Sequence, residues 1–275
     1  MGMAQSVPAQ QAFQAAPAST AQTLPEPQRG LSLERILLLI IIALVVIGGS
    51  GLIYYRAAAH PANLHAQATS IAQDFLTAQV QSMSPQGIFN QATRGKPAIN
   101  DPLSSANGSV WSESSLGNGR CLFTNGAFHA LLSGKASFTV CFANSTRLSD
   151  FAFQVQMTIA SGVRGGLLFR TGNSQAYSYA FDVASDGFYT LAVINGTSGV
   201  VLNFGPSPAI KTGLNQSNLL TVIARGNNIY LYINKQYIAM VNDSTFSSGK
   251  IGLFAISGDN PQADIAFSNA QVWQL

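Results

Sequence analysis

Charge is the scarcest ingredient of this chain: Asp, Glu, Lys and Arg together make up 9% of its 275 residues, against about 25% in soluble globular proteins. That excludes a coiled coil with charged flanks and a disordered chain held open by repulsion. Cysteine occurs twice, too rarely for a disulfide-dense miniprotein. Histidine occurs three times; His60 and His65 are not spaced i, i+4 and His129 stands apart, so no zinc site is expected. Basic residues exceed acidic ones by only three and no three of them adjoin, so no nucleic-acid partner is expected either. A G-x-S-x-G nucleophile elbow is absent as well.

What the chain does contain is an uncharged run at 36–55, ILLLIIIALVVIGGSGLIYY, bounded by Arg35 and Arg56. Twenty residues at 1.5 Å each span the roughly 30 Å hydrocarbon core of a bilayer. Tyr54 and Tyr55 fall where aromatic rings favour the headgroup level. A cleaved signal peptide competes with this reading, since Ala57-Ala58-Ala59 suits a peptidase. The apolar run is too long for that and begins too late, so an uncleaved signal-anchor over 34–56 is expected. Arg29 and Arg35 against Arg56 alone put the N-terminus in the cytoplasm and the C-terminal part outside a plasma membrane.

The flanks differ in kind. Residues 1–30 hold seven Ala, six Gln and four Pro, a composition without the apolar bulk to offset ordering entropy. A disordered cytoplasmic tail over 1–33 is expected. Gly2 and Ser6 also match a short myristoylation pattern of low specificity. Past the anchor, Leu64, Ala68, Ile71, Phe75 and Ala78 step by four and three, which predicts a helix from 60 to about 83. A helical stalk and linker is therefore expected over 57–100.

From there the period changes to two. Phe151, Phe153, Val155, Met157 and Ile159 alternate with Ala152, Gln154, Gln156 and Thr158, a strand with one packed and one polar face. Comparable runs lie at 166–170, 177–183, 188–194, 200–204, 219–224, 229–233, 237–241, 251–256 and 264–273, with shorter ones at 121–124, 128–132 and 138–142. Asn125-Gly126, Asp186-Gly187 and Asn195-Gly196 are among the turns between them. Many short strands with no intervening helix predict an all-β domain over 101–275, a two-sheet antiparallel jelly-roll sandwich. Cys121 and Cys141 lie on separate strands, and outside a membrane a disulfide between them is favoured over two buried thiols.

The stretches GVRGGLLFRTGNSQAYSYAFDVASDGFYTL, LLTVIARGNNIYLYINKQYIAMVNDSTFSSGKIGLFA and IAFSNAQVW resemble concanavalin A-like lectin/glucanase domains. The nearest branch is laminin-G-like and 3-keto-disaccharide-hydrolase (family-16 glycoside-hydrolase-like), and similar domains are carried outside by bacterial single-pass membrane proteins. The resemblance runs over about 110–275. It implies the same sandwich and a lectin, a hydrolase or an adhesion module. Calcium is often held by such domains; here Asp182 and Asp186 are the nearest pair, without the dense oxygen run of a calcium loop. No cofactor is expected, with Ca²⁺ left open.

Two carboxylates at a fixed separation are what glycoside hydrolysis needs. Family-16 enzymes carry them in an E-x-D-x-x-E strand, which this chain lacks; beyond residue 101 its single glutamate is Glu113. Most of the aspartates there adjoin turn residues. Asp182 is mid-strand, on the side of Ser178 and Ala180. A sugar-binding face needs aromatic planes and a few fixed polar groups. Gln154, Gln156, Arg170, Tyr179, Asp182 and Tyr189 are the residues expected to supply them, Arg170 because resembling domains present an arginine at that strand end. In the competing reading the tyrosines are half-buried strand residues and Arg170 pairs with Asp182.

The expectation is thus a membrane-anchored external domain that recognises a carbohydrate or cell-surface glycan without chemistry. The alternatives are a sugar-processing enzyme in which Asp182 or Glu113 converges with Arg170 around a metal, and an ectodomain that binds a protein partner.

Overall fold

A computed structural model of the protein describes residues 32–135, 137–173, 176–196 and 198–275, with the side chains of 58–65 left aside. The tail expected to be disordered, and the Gly2 and Ser6 pattern within it, lie outside the described residues, as do the side chains of His60, Leu64 and His65.

Two compact units part between Ile71 and Ala72. Helix α1 runs over Leu33–Met83, joining the apolar run and the predicted stalk in one helix. Its stretch Leu33–Ala57 is long and apolar enough to cross a membrane, and every side chain of the run is exposed. Ser84 then caps α2 (Pro85–Ala92), its hydroxyl accepting from Gly87 N at 3.0 Å, with Pro85 in the first turn where no amide hydrogen is needed.

Fifteen strands follow. In chain order they are β1 (Ile99–Asp101), β2 (Ser114–Leu116), β3 (Gly119–Thr124), β4 (Ala127–Ser133), β5 (Phe138–Leu148), β6 (Phe151–Ser161), β7 (Arg164–Thr171) and β8 (Tyr177–Ala184). Then come β9 (Phe188–Asn195), β10 (Ser198–Pro206), β11 (Ser217–Arg225), β12 (Asn228–Ile233), β13 (Gln236–Asn242), β14 (Gly249–Ile256) and β15 (Gln262–Gln274). They form two antiparallel sheets, a jelly-roll sandwich. The nine-stranded sheet has the order β13-β12-β11-β6-β15-β4-β3-β2, with β1 also on β15; the six-stranded sheet has the order β10-β9-β8-β7-β14-β5. The hairpin β3–β4 turns on Asn125 and Gly126, both at positive φ, the geometry that matches the twist of paired strands.

Alternation sorts the side chains. Phe151, Phe153 and Val155 of β6 face Leu167 and Phe169 of β7 and Phe181 and Val183 of β8 in one buried core. Cys121 of β3 and Cys141 of β5 form the disulfide, with Cα atoms 5.9 Å apart, so the bond staples one sheet to the other. On the outside of the nine-stranded sheet, Phe89 and Ala92 of α2 pack on Ala152, Ile223, Tyr232 and Trp273. Tyr232 donates to Pro85 O at 2.7 Å and Trp273 Nε1 to Gly95 O at 3.2 Å, which fixes α2 there. Eight residues are too short to show helical periodicity in sequence, so the pattern carries no sign of this cover.

Candidate functional site

The six residues expected to form one binding face occupy three separate places. Gln154 and Gln156 point outward from the nine-stranded sheet into a ladder of side chains. Gln154 Nε2 donates to Gln271 Oε1 at 3.2 Å, Thr221 Oγ1 donates to Gln154 Oε1 at 3.2 Å, and Gln156 Nε2 donates to Ser217 Oγ at 2.6 Å. Their hydrogen bonds tie β11, β6 and β15 together.

Arg170, Tyr179 and Tyr189 point the other way, into the sandwich. Arg170 is 1% exposed at a positive φ of 49°, a strained conformation that its contacts hold in place. Its guanidinium donates to Ser149 O through Nη2 at 2.7 Å and Nε at 3.1 Å, and to Phe246 O at 3.1 Å. Asp150 lies at 3.4 Å, so this carboxylate and not Asp182 is the partner of Arg170. Burial lowers the Arg170 pKa from its usual value, with Tyr179 and Asp150 acting against that. Tyr179 stacks on Phe169 with centroids 5.2 Å apart, donates to the Asp243 carboxylate and accepts from Phe246 N at 3.2 Å. Burial first, then the bond to Asp243, raises its pKa. Together Arg170 and Tyr179 clamp the chain at 149–150 and 243–246. Tyr189 is buried and donates to Asn203 Oδ1 at 2.7 Å. None of these three offers a surface to a ligand.

Asp182 alone of the six stands on the outside of the six-stranded sheet. Register places it in a row with Phe254 of β14, Gly166 of β7, Thr190 of β9 and Phe204 of β10. Gly166 is required there, since a Cβ would come within 2.0 Å of Phe181 O. The Arg164 Nη1 lies 3.4 Å from Asp182 Oδ1 and donates to Thr190 Oγ1 at 3.4 Å. The Arg164–Asp182 geometry gives Coulomb attraction without an aligned hydrogen bond, and Oδ1 is left with no hydrogen-bond partner. Desolvation raises the Asp182 pKa from 3.8 to about 6, with Arg164 pulling it down. Phe204, 70% exposed, ends the row with a free aromatic plane.

Next to this row the same outer face holds a groove of about 770 Å³, walled by Phe138, Val140, Leu168, Ala180, Ile194 and Phe254. Asp182 follows Ala180 by two residues on the same side of β8, and Arg164 pairs in register with the lining residue Ile256. The polar trio Arg164–Asp182–Thr190 therefore borders an apolar groove. Sequence reasoning missed Arg164 and Thr190. Arg164 shares the parity of Gly166 and Leu168 within β7, and that parity was the available signal.

The sugar-processing arrangement is not built. Glu113 accepts from Phe123 N at 2.9 Å beside the nine-stranded sheet, Asp182 is on the other sheet and Arg170 is in the core. Nor do the residues offered for calcium fit it. Asp182 faces a guanidinium, and Asp186 Oδ1 accepts from Phe188 N at 3.2 Å as a turn cap. Among the described residues no three His, Cys, Asp or Glu side chains group as metal ligands.

No family model and no curated protein matches the chain. Solved structures do. A carbohydrate-binding module, CBM66 from Bacillus subtilis, superposes with a TM-score of 0.51 at 21% identity, covering 60% of this chain and 96% of that one. A protein of unknown function with a galectin-like fold, also from Bacillus subtilis, gives 0.51 at 15% identity, over 66% and 96%. At such identities the likeness establishes the fold, and the sandwich is a jelly roll of the type those two proteins share.

Proposed function

We propose that the protein is a membrane-anchored carbohydrate-binding module that recognises a glycan without transforming it. Its binding site is the outer face of the six-stranded sheet. The observation that carries this reading is a buried carboxylate with one unbonded oxygen, held beside Arg164 and Thr190 at the border of a 770 Å³ apolar groove. A pyranose ring presents both partners that such a border needs: C–H faces for Phe204 and the groove wall, and hydroxyls for the carboxylate and guanidinium. The fold shared with a carbohydrate-binding module supports the reading. Residues 34–56 are the anchor, 57–100 the stalk and linker and 101–275 the binding domain, displayed outside the plasma membrane with the N-terminus inside. The disulfide is in keeping with that compartment.

The test is a neutral-glycan and cell-wall array probed with full-length protein in detergent micelles. Binding is expected, and Arg164→Ala or Asp182→Asn will abolish it while Gln154→Ala leaves it intact. A blank array from folded protein refutes the reading and favours a protein partner.

A further inference from the structure

A second polar cleft lies on the opposite side of the sandwich, and the proposal above makes no use of it. It measures about 380 Å³ and opens on the outer face of the nine-stranded sheet at β3, β4 and β15. Register sets Arg120, Leu131 and Asp264 in one row across these strands. Their neighbours Cys121, Leu132 and Ala263 are in the core, so the three project outward. Two strand spacings separate Arg120 from Asp264, about 10 Å between backbones. Asn118 and Gln262 line the adjoining end of the cleft.

The charges in this row are asymmetric. Asp264 Oδ1 is held by His129 Nδ1 at 2.6 Å, and His129 is itself 8% exposed on β4. That contact orients the carboxylate. Arg120, by contrast, is exposed and engages no acidic group or hydrogen-bond acceptor among the described residues. An unpaired guanidinium and an oriented carboxylate thus flank an aliphatic floor, half-buried Leu131, with two amide side chains at one end.

We propose that this cleft is a second ligand site, for an acidic sugar of the hexuronate class. The sugar carboxylate meets Arg120 in a two-point contact, the form in which guanidinium binds carboxylate most strongly. Its ring lies over Leu131 and its far hydroxyls donate to Asp264. Asn118 and Gln262 reach the remaining hydroxyls. A neutral sugar leaves Arg120 without its partner, so the site discriminates by charge. His129 is a positioning residue, acting through Asp264.

Calorimetric titration of the full-length protein in detergent micelles with trigalacturonate, and with its fully methyl-esterified form, tests this. The acid is expected to bind at least about tenfold more tightly than the ester, and less tightly as salt rises. Arg120→Ala will weaken acid binding by roughly ten- to a hundredfold and remove the preference over the ester, with Arg120→Lys intermediate. Asp264→Asn will weaken acid and ester alike. Arg164→Ala will leave the preference for acid over ester in place, which separates this site from the neutral-glycan groove. Equal binding of acid and ester, unaltered binding in Arg120→Ala, loss of the acid preference in Arg164→Ala, or no binding of either ligand overturns the proposal. Arg120 is exposed and supports no other residue, so its removal leaves the fold intact.

Discussion

Replacing Asp182 by asparagine will stabilise the protein by an amount that depends on pH. Asparagine keeps the shape of the side chain and removes the ionisation. In the folded state the carboxyl titrates at about 6 because burial disfavours its charge, against 3.8 when unperturbed. Between those values the folded state holds the proton more tightly than the unfolded state does. The wild-type protein therefore loses stability as pH rises through this window. At 1.36 kcal/mol per pH unit the loss amounts to about 3 kcal/mol above pH 6. Well below pH 3.8 the carboxyl is neutral in both states, and wild type and variant will match. At pH 7 the variant will be more stable by about 3 kcal/mol. Urea unfolding followed by tryptophan fluorescence reads this directly, since both tryptophans are buried, Trp111 in the core and Trp273 beneath α2. A difference that stays constant from pH 4 to pH 7, or a less stable variant at pH 7, refutes the assignment of Asp182 as a carboxylate desolvated by its setting. Gain of stability with loss of glycan binding is the pattern of a residue kept for function.

Two further predictions concern the scaffold. Arg170→Ala will cost roughly 3–5 kcal/mol in thermal or urea unfolding, because it removes a fully buried side chain together with its charged hydrogen bonds to the Ser149 and Phe246 carbonyls; an effect near zero would mean the clamp is dispensable. Reducing Cys121–Cys141, whose residues are 20 apart in sequence, will lower stability by about 3 kcal/mol, checked by unfolding with and without reductant.

Alternation made the sheets readable: the observed strands enclose each predicted run, and Asn125-Gly126 turns where it was expected to. The apolar run was legible by length alone. The site was read less well, for reasons that differ by residue. Tyr179 and Asp182 have opposite parity on β8, so strand geometry already forbade a shared face. Arg170 reads as a surface group in the sequence because its partners, Ser149 and Phe246, come from distant segments, and only the packed sandwich brings them to it. Gln154 and Gln156 were placed on the correct outward side of β6. That their amides are spent on Thr221, Gln271 and Ser217 depends on which strands flank β6, and strand order is not written in local pattern. The short strands β1 and β2 carry too few residues to alternate visibly.

The place of β15 in the nine-stranded sheet sets the order in which this domain can assemble. β13, β12, β11 and β6 lie on one side of it and β4, β3 and β2 on the other, and β15 follows all of them in the sequence. During synthesis the two halves of the sheet emerge with a strand-wide gap between them, each with an open row of backbone donors and acceptors facing the gap. Only when β15 enters does the sheet close. Until then the emerging chain carries two open sheet edges, each able to pair with another strand, and with charged residues at only 9% it has little repulsion to keep them apart.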